Sequence, residues 1–327
     1  MNKTNHTFFE LKQIIDKCNN LLIISHILPD GDNIGSVIAM SLVLKAQGKR
    51  VTAVVNGEMP PYYRFLEGAS ALVPPDALTE DPFDCVLCLD MSDKARGGKI
   101  WEKIPEAPRI INIDHHVSND YFGDYNYVRS DASSTAEIVT LLLEAWNIPI
   151  SKAVAEALYT GIVTDSGSFT YPSTSPQTMK AAALLLEAKP CLEAIRENVL
   201  ENVSFLRKKL LSAVLSHAEL GCRGRLCHAA ISYEEITALG AKGPDFENII
   251  DHLIGVTGVE FAIFFRELRP GEVKIGFRGR GDNDVTVVAS RFGGGGHRAA
   301  AGCSCYGPLS EVVKEVTAEA IRYLEER

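Results

Sequence analysis

The sequence predicts an α/β protein of two domains, an N-terminal parallel-sheet domain with flanking helices followed by a smaller C-terminal α/β domain. Three observations lead there. At 327 residues the chain is more than twice the commonest single-domain size. In its first half, short and wholly apolar runs alternate with helix-length stretches, the pattern of a buried parallel sheet joined by crossovers. After Gly221 the strand-like runs alternate apolar with polar residues, as strands with one covered face do.

Residues from about 7 to 18 carry an amphipathic helical spacing. Leu21-Leu22-Ile23-Ile24-Ser25 follows as a short apolar strand. A helix from Ile34 to Gln47 ends at Gly48, a residue that tolerates the left-handed turn at a helix end. Further strands are expected at Arg50–Val55, Cys85–Leu89 and Arg109–Ile113. From about 133 to 220 the pattern is helical, broken at Pro149, Pro172, Pro176 and Pro190. The second domain offers strands at Arg225–Ile231, Val259–Arg266 and Val273–Arg278, with a helix near Phe246–Leu253. The expected division is 1–200, a helical connector over 201–220, and 221–327.

Composition narrows the function. Hydrophobic residues make up 46% and charged residues 23%, which excludes a disordered chain or a disulfide knot. The 33 basic and 42 acidic residues leave a net charge of −9. Such a surface repels a long phosphate backbone, so no long nucleic acid is expected as partner. A small anion in a local basic pocket is not excluded. The polar start Met1-Asn2-Lys3-Thr4-Asn5-His6 is unlike a signal peptide, and no apolar run reaches membrane-spanning length. With eight cysteines that read as reduced thiols, a cytoplasmic protein without a membrane partner is expected. Cys85 and Cys88 lie three apart on a strand and point to opposite faces, the wrong geometry for one zinc ion. A homodimer is left open.

The acidic and histidine residues fall at strand ends. His26 follows the first strand, in Ser25-His26-Ile27-Leu28-Pro29-Asp30-Gly31-Asp32-Asn33-Ile34-Gly35-Ser36. Asp90 closes the strand at Leu89 and is followed by Asp93, and Asp114-His115-His116 closes the strand at Ile113. In open α/β sheets ligands bind at that carboxyl edge. Thr164-Asp165-Ser166-Gly167 comes from the end of a helical stretch. His26, Asp30, Asp32, Asp90, His115 and Asp165 together offer too many ligands for one ion and suit two sharing a carboxylate. Carboxylate and imidazole without thiolate favour Mn²⁺ over zinc. Two such ions activate a water and clamp a phosphoryl oxygen, so the chemistry implied is phosphate-ester hydrolysis. An EF-hand is excluded, because Ile34 and Ser41 stand where that loop needs oxygen ligands. Taken singly, the Pro29-Asp30-Gly31-Asp32 run is an ordinary turn and Asp90 an ordinary cap.

Taken in order, these four motifs resemble those of the DHH phosphoesterases. Gly293-Gly294-Gly295-Gly296-His297-Arg298-Ala299-Ala300-Ala301-Gly302 is similar to the glycine-rich signature of the DHH-associated domain that follows in one branch. The five motifs run from residue 26 to 302 and most resemble the oligoribonuclease/pAp-phosphatase branch. The resemblance implies that His26 and Asp30 hold one metal, Asp32, His115 and Asp165 the other, with Asp90 bridging. It implies that His116 faces the phosphate or leaving oxygen and that Asp114 orients a histidine. It further implies a cleft between the domains, with His297 and Arg298 reaching the substrate phosphate. Two positions depart from the family pattern: Asn33, where alanine is frequent, and Thr170, where arginine is frequent.

Four glycines let backbone amides approach a phosphate, so Gly294, Gly295 and Gly296 join the substrate-binding set. Between Arg266 and Arg298 there are seven basic and four acidic residues, a local excess of +3. From these, Arg278 and Arg298 are assigned to substrate. The expected activity is hydrolysis of very short oligoribonucleotides and of 3′-phosphoadenosine 5′-phosphate (pAp) with two Mn²⁺ ions. Hydrolysis of cyclic dinucleotides or their linear products is the enzymatic alternative, and a nucleotide-binding regulator the non-enzymatic one. A long-strand exonuclease would need a further nucleic-acid-binding domain, for which no residues remain. A regulator would be expected to have lost metal ligands, and all six are present.

Overall fold

The computed structural model describes residues 4–78, 82–104, 108–246 and 248–326. Met1–Lys3, at the start of the expected polar segment, and Glu247, inside the helix expected at Phe246–Leu253, lie outside them. The chain divides into two compact units, Met1–Asn202 and Val203–Arg327. No helix among the described residues is long and apolar enough to cross a membrane.

The first unit opens with α1 (Phe8–Asp16), β1 (Asn20–Ile24), α2 (Gly31–Ala46) and β2 (Arg50–Val54). It continues with β3 (Cys85–Leu89), β4 (Arg109–Asp114) and β5 (Tyr125–Val128). Four helices complete it: α3 (Thr135–Ala145), α4 (Lys152–Asp165), α5 (Pro176–Glu187) and the short α6 (Leu192–Ile195). The sheet is wholly parallel, in the order β2-β1-β3-β4-β5. Its order reverses between β1 and β3, which makes that gap the topological switch point where α/β sheets bind ligands. His26 leaves β1 and Asp90 leaves β3 at that gap.

Alternation along the strands makes two cores. Leu21, Ile23, Cys85, Leu87 and Leu89 pack under α2, α3 and α4. Leu22, Ile24, Val86 and Cys88 face the other way, with Met91 and Ile100. Cys85 and Cys88 therefore do point to opposite faces, and all eight cysteines are free thiols. Helices α2 and α4 approach closely through glycine: a Cβ at Gly35 would meet the Ala157 carbonyl oxygen at 2.2 Å. Pro176 occupies the first turn of α5 behind the N-cap Ser175, where a missing N–H costs nothing.

The second unit contains α7 (Phe205–Ser216), β6 (Glu219–Gly221), β7 (Leu226–Ile231), α8 (Tyr233–Leu239) and α9 (Ile249–Ile254). It ends with β8 (Phe261–Arg269), β9 (Glu272–Gly279), α10 (Thr286–Arg291), β10 (Gly295–His297), β11 (Ala300–Tyr306) and α11 (Leu309–Glu325). Its mixed sheet runs β10-β11-β9-β8-β7-β6, with only β7 and β8 parallel. Helix α7 occupies most of the expected connector, yet Leu210 and Val214 are buried with Cys227, Ala229 and Phe264 of this unit. Strands β5, β6, β10 and β11 and helices α8, α10 and α11 were not anticipated. The first two are short, and Gly295 and Gly296 gave β10 no apolar signal.

The glycine run is a hairpin arm rather than a loose loop. Gly295–His297 pairs antiparallel with Ala300–Gly302. A Cβ at Gly294 would lie 2.3 Å from the Gly302 carbonyl oxygen, and one at Gly296 2.5 Å from that of Ala300. Backbone-to-backbone approach within the hairpin thus accounts for two of the four glycines, whereas nothing lies within 4 Å of a Cβ at Gly295.

Candidate metal centre

The centre is assembled from four carboxyl-terminal ends and two helix starts. His26 is 1% exposed. Its Nδ1 lies 2.7 Å from the Ile27 carbonyl oxygen, which can only accept, so Nδ1 carries the proton and Nε2 the lone pair. Nε2 stands 3.4 Å from Asp90 Oδ2 and 3.9 Å from Asp30 Oδ1, buried and without a hydrogen-bond partner. Asp30 is the N-cap of α2, accepting from the Asn33 amide at 3.0 Å. Asn33 in turn donates from Nδ2 to the Leu89 carbonyl oxygen at 2.8 Å, pinning α2 to the end of β3.

Asp32, in the first turn of α2, is buried. Its carboxylate accepts from the amides of Thr135 and Ala136, at 2.6 and 2.7 Å, the free donors at the start of α3. Asp90 follows β3 with φ of 60°, a left-handed conformation that a non-glycine residue holds only when its surroundings enforce it. Its Oδ1 accepts from the Thr135 hydroxyl at 3.0 Å and lies 3.5 Å from His115 Nε2. That same nitrogen is 3.2 Å from Asp165 Oδ2 and 3.9 Å from Asp32 Oδ2. Asp165 is the last residue of α4.

Asp114 is fully buried at the end of β4 and accepts from His116 Nδ1 at 2.7 Å, so it is His116 that it orients. Asn119 holds the other oxygen of Asp114 at 2.6 Å. Asp93 caps the turn that follows it, accepting from the Arg96 amide, and takes no part in the centre.

Electrostatics follow from burial and crowding. Burial, then the nearby carboxylates of Asp90, Asp165 and Asp30, push Asp32 well above the usual carboxylate range. Burial also raises Asp165, against the pull of His115. For Asp90 burial acts the same way but is outweighed by the imidazoles of His26, His115 and His116, which hold its carboxyl low. The Asp114 hydrogen bond raises His116 to about 9 against its partial burial.

Three groups of side chains place ligand atoms within 4.8 Å of one another: His26–Asp30–Asp90, Asp32–His115–Asp165, and Asp90–His115–His116. The first two bring together the residues that the resemblance assigns to each ion, and Asp90 neighbours both. Crowded carboxylates facing imidazoles, with His26 Nε2 buried and unpartnered, fit divalent cations and suit little else.

The substrate-binding candidates belong to the second unit, on and beside the strands at the β10 edge of its sheet. His297 pairs with Ala300, and Ala300 with Arg278. Arg298 donates from Nη2 to the Asp282 carbonyl oxygen at 2.8 Å and to its Oδ1 at 3.0 Å. Arg278 Nε is 3.3 Å from Asp251 Oδ1. Thr135, Ala136 and Asn119 escaped sequence reasoning. The Ser134-x-x-Glu137 spacing ahead of an apolar run was the available signal, since it marks a helix start with free amides.

Known proteins resemble this chain along most of its length. The sequence profile of the DHH family N-terminal domain matches residues 20–162, and that of the DHHA1 domain matches residues 228–326. The bifunctional oligoribonuclease and PAP phosphatase NrnA of Thermus thermophilus is 30% identical over 309 residues, covering 92% of this chain and 89% of the relative. The cyclic-di-AMP phosphodiesterase GdpP of Geobacillus thermodenitrificans is also 30% identical, over 315 residues, but only 45% of that longer protein is covered. An exopolyphosphatase-related protein from Bacteroides fragilis has a crystal structure similar over 99% of this chain and 98% of its own, with TM-score 0.82 and 26% identity.

Proposed function

We propose that this chain, which belongs to the DHH family of phosphoesterases, hydrolyses very short oligoribonucleotides to mononucleotides and removes a phosphate from pAp, using two divalent ions, Mn²⁺ foremost. The observation that carries the proposal is the pair of ligand groups with Asp90 between them. The similarity to NrnA along nearly its whole length supports the substrate class, and the shorter overlap with GdpP ranks cyclic dinucleotides second.

His26 and Asp30 would hold one ion, Asp32, His115 and Asp165 the other, with Asp90 shared. Ions so held supply an acidified water, a polarised phosphoryl oxygen and a stabilised leaving oxygen. The protein's own contribution is orientation. The Ile27 carbonyl fixes the His26 tautomer, and the α3 amides keep the Asp32 carboxylate in place. Because Asp114 holds the Nδ1 proton of His116, the proton this ring gives to the departing oxygen leaves from Nε2. In the second unit Arg298, His297 and Arg278, with the backbone of Gly295 and Gly296, hold the phosphate that does not react, while the Gly294 amide, expected among them, already donates to the Ala289 carbonyl oxygen at 2.9 Å.

Phosphate or nucleotide release, followed during Mn²⁺ titration, tests this on pAp, a diribonucleotide, a cyclic dinucleotide and an RNA of roughly two dozen nucleotides. Turnover should be confined to pAp and to RNAs of up to about five nucleotides, the size of a pocket-bound ligand. Comparable rates on the diribonucleotide and the long RNA would overturn the short-substrate assignment. Preference for the cyclic dinucleotide would move the enzyme to the alternative.

A further inference from the structure

We infer that Thr135, which none of the metal-ligand motifs includes, is a positioning residue that sets the orientation of the Asp90 carboxylate between the two ligand groups. The inference rests on the two-ion reading above and extends it to a residue that holds no metal itself.

Thr135 is the first residue of α3, behind the N-cap Ser134. Its amide donates to Asp32 Oδ2 at 2.6 Å, while its hydroxyl donates to Asp90 Oδ1 at 3.0 Å. One residue thus touches a carboxylate from each ligand group. The two contacts separate chemically, because the amide survives any substitution except proline and the hydroxyl does not.

The hydroxyl bond has a directional consequence. With Oδ1 tied to Thr135 and 3.5 Å from His115 Nε2, Oδ2 is left facing His26 Nε2 at 3.4 Å. A carboxylate with one oxygen toward each group is oriented to be shared by two ions. Asp90 cannot get that orientation from its own backbone, which already sits in an unfavourable left-handed conformation. Threonine suits the task because its branched Cβ leaves few χ1 choices.

Thr135 is itself held from behind. Glu137, wholly buried on α3, accepts through Oε2 from the Ser133 amide at 2.9 Å, the Ser133 hydroxyl at 2.8 Å and the Thr178 hydroxyl at 2.7 Å. Ser134 Oγ accepts from the Glu137 amide at 3.0 Å. These bonds fix the turn that delivers Thr135 and tie it to α5. The hydroxyl is therefore presented by a braced segment.

Three variants test this: Thr135→Val, which keeps shape and amide, Thr135→Ala, which keeps only the amide, and Thr135→Ser, which keeps the hydroxyl. Mn²⁺ binding is measured by calorimetry on metal-free protein, with the melting temperature of that protein as the fold control. Loss of the hydroxyl should weaken Mn²⁺ affinity about 10- to 100-fold, the usual consequence of removing a group that orients a ligand. Thr135→Ser should restore affinity to within about threefold, the residue from its freer χ1. The kcat for pAp at saturating Mn²⁺ should stay near wild type, while the Mn²⁺ concentration for half activity rises. Wild-type Mn²⁺ affinity in either Thr135→Val or Thr135→Ala, or a Thr135→Ser as weak as the other two, would overturn the assignment. Failure of the wild-type protein to bind two Mn²⁺ ions would instead bring down the two-ion reading, so the two failures are distinguishable.

Discussion

The candidate metal centre and the phosphate-binding candidates of the second unit treat charge in opposite ways. In the first, Asp32 and Asp90 are each 1% exposed, Asp114 is fully buried, and every one of them is locked to an amide, a hydroxyl or an imidazole. In the second, the Arg298 side chain is 58% exposed and held by an ion pair with Asp282. Burying like charges together is costly, and it persists only where something compensates. Bond-breaking needs fixed atoms; capture of a phosphate needs only reachable positive charge. The contrast in burial therefore supports the proposed division of labour.

The harshest way to break this contrast is to remove the shared carboxylate. Asp90→Ala should lower turnover of both pAp and an activated ester, bis-p-nitrophenyl phosphate, by roughly 10³-fold or more, since the one carboxylate proposed to serve both ions is lost. Retention of a tenth of the activity under saturating Mn²⁺ would take Asp90 out of the bridging role. A chelator should abolish activity on both substrates as well, with Mn²⁺ restoring it better than Zn²⁺.

On the exposed side, the effect should depend on the substrate. Arg298→Ala should reduce kcat/KM for pAp by roughly 10- to 150-fold, the worth of one or two charge-assisted phosphate contacts. The activated ester has no second phosphate to hold and should be spared. Thermal stability should hardly change, because an exposed pair such as Arg298–Asp282 contributes little. Equal loss on both substrates would mean that Arg298 supports the fold or the metal centre.

Much of the buried side was legible in the sequence because its signal is local. A short, mostly apolar β-strand with Asp or His within the next two residues repeats at Ile24, Leu89 and Ile113, and the structure brings all six expected ligands together. What went unread is what other parts of the chain supply. The amides holding Asp32 come from more than a hundred residues away, and no side-chain pattern announces a backbone donor. The second unit was less legible for a related reason. In β10 and β11 the small residues Gly295, Gly296, Ala300, Ala301 and Gly302 pair through backbone, so no alternation of apolar residues marks the strands.

A subtler probe on the buried side concerns helix spacing. A Cβ on Gly161 would lie 2.6 Å from that of Ala136 and 3.0 Å from Asp32 Oδ1. Gly161→Ala should therefore push α4 away from the start of α3 and disturb Asp32 together with its amide donors. The expected cost is about 1–3 kcal/mol of stability, typical of overpacking. Mn²⁺ affinity should fall roughly 10-fold as a ligand is displaced. A variant that melts lower but binds Mn²⁺ normally would show that Asp32 can follow its helix without losing its place.

The smallest expected effect is the most discriminating for the glycine run, where packing and binding explanations overlap. Gly294 and Gly296 are already required by hairpin contacts at 2.3 and 2.5 Å, so their substitution would unsettle the fold and say nothing about phosphate. Gly295 is different: a Cβ there meets nothing within 4 Å, and its backbone φ is not positive. Gly295→Ala should then leave the melting temperature unchanged, or raise it slightly through the lower entropy of the unfolded chain. If the amides of this strand approach the non-reacting phosphate, the added methyl should raise KM for pAp about threefold to tenfold while kcat and activated-ester turnover stay put. An unchanged KM would confine the role of the glycines to the hairpin and leave His297, Arg298 and Arg278 as the capture groups of the second unit.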